Sequence, residues 1–181
     1  MSFRYVIALG SNVRHARIGL PPKVLAAALA ALETAGLHVE AASPVIASAP
    51  IGPSRRRYAN AAAAIATALG PPRLLATLQA IERRFGRRHG RGRQWGPRVL
   101  DLDIVLWSGG AWHSPDLLVP HPRFRTRGFV LGPACAIARR WRDPLTGLAL
   151  AHLAARLTRP RPVPNPEHGR ALSSVGRATD F

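Results

Sequence analysis

The chain has 181 residues, with 26 Lys and Arg against 9 Asp and Glu, a formal net charge of +17 and 47% hydrophobic residues. That composition excludes a disordered chain and fits one globular domain with a real core. No apolar run reaches bilayer-spanning length and Met1–Asn12 lacks the pattern of a signal peptide, so a cytoplasmic protein that engages no membrane is expected. Cys135 is the only cysteine, which rules out an intramolecular disulfide and a cysteine-based metal site. The excess of positive charge favours anionic ligands. Part of it reflects coding bias, because Lys23 is the only lysine and arginine and alanine are abundant.

Tyr5–Leu9 reads as a short strand ending at the turn Gly10-Ser-Asn12. Pro21-Pro22 opens a helix with apolar positions Val24, Leu25, Leu29 and Leu32, stopped by Gly36. Val39–Ser48 reads as a strand interrupted near Pro44. Tyr58–Thr67 is ambiguous: its alanines favour helix on propensity, whereas its short length and the preceding Pro/Gly loop favour strand, which is the reading adopted. A second helix starts at Pro71-Pro72, buries Leu74, Leu75, Leu78, Ile81 and Phe85, and ends at Gly86. The Gly/Arg loop Arg87–Gln94 leads into a strand over Val99–Trp107. Val130–Ala138 and Leu148–Leu157 read as further helices. The order β-α-β-β-α-β is the ferredoxin-like pattern, an α+β fold with an antiparallel sheet, helices packed on it and extra C-terminal helices. Residues 1–157 are expected to form the domain, and 158–181 a Pro-rich, disordered tail.

The chemistry concentrates in Trp95-Gly-Pro-Arg-Val-Leu-Asp-Leu-Asp-Ile104. On a strand, Asp101 and Asp103 share one face, while Leu100, Leu102 and Ile104 take the other. Two acids on an otherwise apolar strand are costly without a cation between them, and carboxylates joined by substrate phosphates are a common magnesium site. Arg87, Arg88, Arg91, Arg93 and Arg98 supply guanidinium groups suited to phosphate oxygens. Acids, arginines and a tryptophan together suggest a Mg-nucleotide site. An Arg-rich nucleic-acid module is the rival, but carboxylates directly after the arginines would repel a phosphate backbone, so no specific nucleic-acid partner is expected.

Gly10-Ser-Asn12, Pro50-Ile-Gly-Pro53, Tyr58-Ala-Asn60 and Leu78-Gln-Ala-Ile-Glu82 occur in order. Trp95–Ile104, Val119-Pro-His-Pro122 and Arg127-Gly-Phe-Val-Leu131 follow them. In these motifs the chain resembles the 6-hydroxymethyl-7,8-dihydropterin pyrophosphokinase family over about residues 4–157. The resemblance implies a ferredoxin-like fold and transfer of pyrophosphate from ATP to the pterin hydroxymethyl group in folate biosynthesis, releasing AMP. By matching position, Asp101 and Asp103 resemble the ligands of two Mg2+ ions, with Arg87 and Arg98 beside them as catalytic arginines. Ser48, Pro50, Ile51, Tyr58, Asn60 and Phe129 resemble the pterin pocket. Gln79, Glu82, Arg91, Trp95, Arg98, Ile104, His121 and Arg127 resemble the ATP site. A monomer acting on small molecules is implied.

The chain departs from the family's pattern in two loops. Gly86–Trp95 is one residue longer, so the second loop arginine falls on Arg88, Arg91 or Arg93, of which Arg91 is taken. The Gly52–Tyr58 loop is one residue shorter and carries Arg55, Arg56 and Arg57.

Overall fold

The computed structural model describes residues 2–49, 56–86 and 98–160. Four antiparallel pairings organise it. Strand β1 (Phe3–Ser11) lies between β4 (Tyr58–Thr67) and β5 (Asp101–Trp107), and β4 pairs on its far side with β2 (His38–Ala42) and β3 (Ile46–Ser48). The order β2-β4-β1-β5 is that of a ferredoxin-like sheet, as the element order predicts. Pro44 splits the expected Val39–Ser48 strand in two. Ser43 bridges the gap, since its N–H donates to the Ala62 carbonyl and its Oγ accepts the Ala62 N–H, both at 2.9 Å.

Helices α1 (Pro21–Thr34) and α2 (Pro71–Arg84) each begin with two prolines, whose missing N–H groups cost nothing in a first turn. Gly36 and Gly86, at φ +78° and +88°, turn the chain out of them. Both helices cover one sheet face. Tyr5, Ile7, Leu9, Ala61, Ala63 and Ile65 meet Val24, Leu25, Leu74 and Leu78 there. Helices α3 (Gly128–Ala138) and α4 (Leu150–Thr158) cover part of the other face, on Val6, Ala62, Val105 and Leu106. Val105 joins that cluster because it is skipped where β1 and β5 shift register, between Val6–Leu106 and Ile7–Ile104.

The run Tyr58–Thr67 is a strand despite its helix-favouring alanines. Between two pairing partners and covered on both faces, it gains more from backbone ladders than propensity offers helix. A hairpin absent from the sequence reading, β6 (Trp112–Ser114) with β7 (Leu117–Val119), packs Trp112 on Trp107 at a 6.0 Å ring separation. A 3-10 turn, Phe124–Thr126, connects to α3. Among the described residues no helix is long and apolar enough to cross a membrane. Helix α4 ends at Thr158, one residue past the expected domain limit; residues 161–181 lie outside the described residues.

Candidate active site

The site is built on the sheet face carrying α3, where the strands lose their bulk. Across β4, β1 and β5, Asn60, Gly10 and Asp101 are paired in one row and Ala62, Ala8 and Asp103 in the next but one. The middle strand contributes only Gly10 and Ala8 to this floor, so the acids stand beside open space. Asp101 and Asp103 are half-buried, while Leu102 and Ile104 are buried in the opposite core, as the two-residue period requires.

Above this floor is a cavity of about 240 Å³. One end is lined by Ser48, Tyr58 and Phe129, the last in the first turn of α3. The other end is charged, with Asp101 and Asp103 facing Arg98, His121, Arg123 and Arg127. A recess of about 60 Å³ adjoins it, lined by Gly10, Asn60, Tyr58 and Phe129 and also by Asp101, Asp103 and Arg127. A second cavity of about 300 Å³ shares Asp103 and His121 and has apolar walls from Leu75, Ile104, Leu117 and Leu118.

Arg98 Nη1 lies 2.6 Å from Asp101 Oδ1. Burial alone would lower the arginine's pKa, but Asp101, with Asp103 and Tyr58, raises it, so it stays charged. Its backbone is held by Asn12, whose N–H donates to the Arg98 carbonyl at 3.0 Å and whose Oδ1 accepts the Arg98 N–H at 2.8 Å. Burial raises the Tyr58 hydroxyl above its ordinary pKa, with Arg98 opposing. Asn60 Nδ2 donates to Ser48 Oγ at 2.9 Å, tying β4 to β3 at the aromatic end.

His121 follows the cis Val119–Pro120 bond, and its N–H donates to the Val105 carbonyl. Its Nδ1 accepts the Arg123 N–H at 3.1 Å, which leaves Nε2 to carry the proton of the neutral ring. Burial, then Arg127, lowers the His121 pKa below its ordinary value. Arg127 stands 5.8 Å from the centre of the Phe129 ring, joining the charged and aromatic ends. Arg125 turns away from the cavity. Its Nε and Nη2 donate to the fully buried Asp143, each at 2.7 Å, while Thr146 Oγ1 and the Leu145 N–H bond the same carboxylate. Those donors outweigh burial and hold Asp143 below the usual carboxylate range.

The structure thus gathers Ser48, Tyr58, Asn60, Arg98, Asp101, Asp103, Ile104, His121, Arg127 and Phe129 around connected cavities. Gln79 and Glu82 line neither of the two larger ones. Glu82 is buried behind β5, where Oε1 accepts the Leu102 N–H at 2.7 Å, because an outward N–H of this edge strand needs a partner. Pro50, Ile51, Arg87, Arg91 and Trp95 lie outside the described residues. Sequence reasoning passed over Gly10 and Ala8 as floor, Asn12 as the Arg98 clamp, and Arg123 as a cation of the rim. Arg123, two residues after His121 and four before Arg127, carried a usable signal in that alternation.

A family model described as 7,8-dihydro-6-hydroxymethylpterin-pyrophosphokinase (HPPK) matches residues 6–139. The chain is 37% identical over 148 residues to a Synechocystis protein named 2-amino-4-hydroxy-6-hydroxymethyldihydropteridine pyrophosphokinase, covering 82% of this chain and 73% of that one. It is 41% identical over 143 residues to a Pseudomonas aeruginosa protein of the same name, covering 78% and 84%. Among solved structures, wild-type Plasmodium falciparum HPPK-DHPS with SDX-DHP superposes with a TM-score of 0.66 at 10% identity, over 86% of this chain and 44% of that one. At that identity the likeness shows the fold, and this chain spans less than half of that longer protein.

Proposed function

The chain belongs to the 7,8-dihydro-6-hydroxymethylpterin-pyrophosphokinase family, and from that premise we propose how its own residues carry out the reaction. The enzyme transfers pyrophosphate from ATP to the hydroxymethyl group of 6-hydroxymethyl-7,8-dihydropterin, a step of folate biosynthesis. The hydroxymethyl oxygen attacks the β-phosphorus, the bond from the β-phosphorus to the α,β-bridging oxygen breaks, and AMP leaves with that oxygen. The hydroxyl proton is released.

The pterin ring lies in the recess at Tyr58 and Asn60, stacked on Phe129, with Ser48, Pro50 and Ile51 at its rim. Asn60 offers a donor and an acceptor to the ring's amide-and-amine edge. Adenine enters the second cavity beside Ile104. The triphosphate crosses the charged end, where Arg98 and Arg127 bind its oxygens and His121 donates through Nε2–H. Arg87, Arg91 and Trp95 contribute from the segment before Arg98.

Asp101 and Asp103 would hold magnesium, in two ions. Two carboxylates without a third His, Cys, Asp or Glu to complete a group among the described residues fit Mg2+, which takes its remaining oxygens from phosphates and water. Bound there, the metal would neutralise charge on the transferring phosphoryl oxygens. The chain's own contribution is positioning: no strong base is needed where alignment and charge neutralisation carry the step. The enzyme works as a monomer in the cytoplasm.

One observation carries this assignment: the row Asn60–Gly10–Asp101 sets the backbones that bear the pterin-reading amide and a metal carboxylate two interstrand spacings, about 10 Å, apart, with no side chain on the strand between them. The test is AMP formation from Mg-ATP with and without the pterin. Pterin-dependent AMP with no ADP is expected; a folded protein that forms no AMP overturns it.

A further inference from the structure

Asn12 follows β1 and is 4% exposed. Its backbone and Oδ1 grip the Arg98 backbone, as described above. The grip fixes the orientation of the amide, because only oxygen can accept the Arg98 N–H, so Nδ2 must be the atom turned the other way. Nδ2 is buried there, and among the described residues no acceptor stands in full hydrogen-bond geometry to it. Buried donors without partners are rare, and they mark places where a partner arrives or a function is served. The amide lies close enough to the Tyr58 hydroxyl to favour its ionised form. The Arg98 side chain that Asn12 steadies reaches Asp101 at 2.6 Å.

We propose that Asn12 is a positioning residue that couples the pterin recess to the phosphate end: Nδ2–H donates to the Tyr58 hydroxyl oxygen when the pterin is bound, while Oδ1 and the backbone hold Arg98 against Asp101. The proposal rests on the reading that the pterin occupies the Tyr58–Asn60–Phe129 recess. A hydroxyl has one proton and two lone pairs. Accepting from Asn12 leaves the Tyr58 proton directed at the ligand, so one amide orders a pterin contact and a phosphate contact together.

Asn12→Asp is the informative variant, since it keeps the oxygen that accepts the Arg98 N–H and removes the donor facing Tyr58. Pterin KM and kcat are measured for Asn12→Asp, Tyr58→Phe and the double variant, with melting curves for each. Each single variant is expected to raise pterin KM roughly five- to tenfold, and the double no further than the worse single, because both lose one hydrogen bond. Multiplying losses, or an unchanged KM in Asn12→Asp, overturn the coupling. An unchanged KM in Tyr58→Phe overturns the recess assignment instead, and the coupling with it. Should Asn12→Asp not fold, the native chain supplies the answer through the side-chain amide resonances of its three asparagines. The Asn12 pair is expected to shift on adding pterin, but not in Tyr58→Phe; resonances that stay in place overturn the proposal.

Discussion

Gly10 pairs with Asn60 on one side and Asp101 on the other, so the two ends of the site are joined through a residue with no side chain. A strand interior normally disfavours glycine. Here its absence of bulk opens the recess beside Tyr58 and Phe129.

Gly10→Val tests that role. A Cβ at this position would lie 3.8 Å from both Asn60 Oδ1 and Asp101 Cβ, ordinary contact, so Gly10→Ala is tolerated with little loss. The two methyls of valine project into a recess of only about 60 Å³. Valine suits a strand, so the melting temperature holds or rises, while pterin KM rises at least about fivefold, given a 1–3 kcal/mol cost of crowding the bound ring. An unchanged KM would show that the ring does not lie over Gly10.

Asp101→Ala and Asp103→Ala should each reduce turnover by at least about 100-fold, the scale of losing a group that organises phosphoryl charge. Neither carboxylate belongs to the core clusters, so circular dichroism and melting should stay near those of the parent. Chelation by EDTA should abolish AMP formation and added Mg2+ restore it. Near-normal turnover in either variant sinks the metal assignment.

The residues that were legible in the sequence are those whose chemistry depends on local periodicity. Asp101 and Asp103 declared a shared face by their spacing alone, and the paired prolines at 21–22 and 71–72 marked both long helices. What stayed hidden depends on partners distant in the chain. Glu82 was matched to the ATP site, and nothing in the sequence showed that β5 takes its carboxylate for the Leu102 N–H. Asn12 looked like a turn residue, but its partner Arg98 is 86 positions away. The β6–β7 hairpin strands are three residues each, too short to show alternation. The alanines of β4 carried no face at all, because both faces of that strand are buried.

Arg125 points away from the site yet sits between Arg123 and Arg127, which face into it. Its bidentate pair with Asp143, whose side chain is fully buried, therefore anchors the segment bearing two rim cations. Asp143→Ala should destabilise the fold by about 3 kcal/mol, the lower end for breaking a buried pair. That corresponds to roughly 10 °C in melting temperature for a domain of this size. In the folded fraction KM for ATP should rise more than kcat falls, since phosphate contacts are loosened while the acids are untouched. An unshifted KM would confine Asp143 to stability.

A chain ending at Pro160 retains every described element through α4. Its AMP formation and melting temperature should equal those of the full chain, since the Pro-rich stretch beyond supplies alternating residues without backbone N–H donors. Lost activity at equal folding would assign residues 161–181 a role in the site.

His121 gives the fold a pH dependence with a definite sign. Burial and Arg127 lower its pKa below 6.5, and Nδ1 is committed to the Arg123 N–H. The unfolded chain therefore binds a proton more readily than the folded one. This contribution to stability is complete above pH 6.5 and is lost as pH falls through the lower folded value. Asp143, also held below its ordinary 3.8, acts in a separate window, with its contribution lost only as pH falls below that value. His121→Gln keeps a neutral donor and cannot take up a proton. Between pH 7 and 5 the melting temperature of the parent should thus fall more than that of His121→Gln. Parallel curves across that range would mean that the imidazole titrates alike in both states and that Nδ1 does not hold the Arg123 N–H.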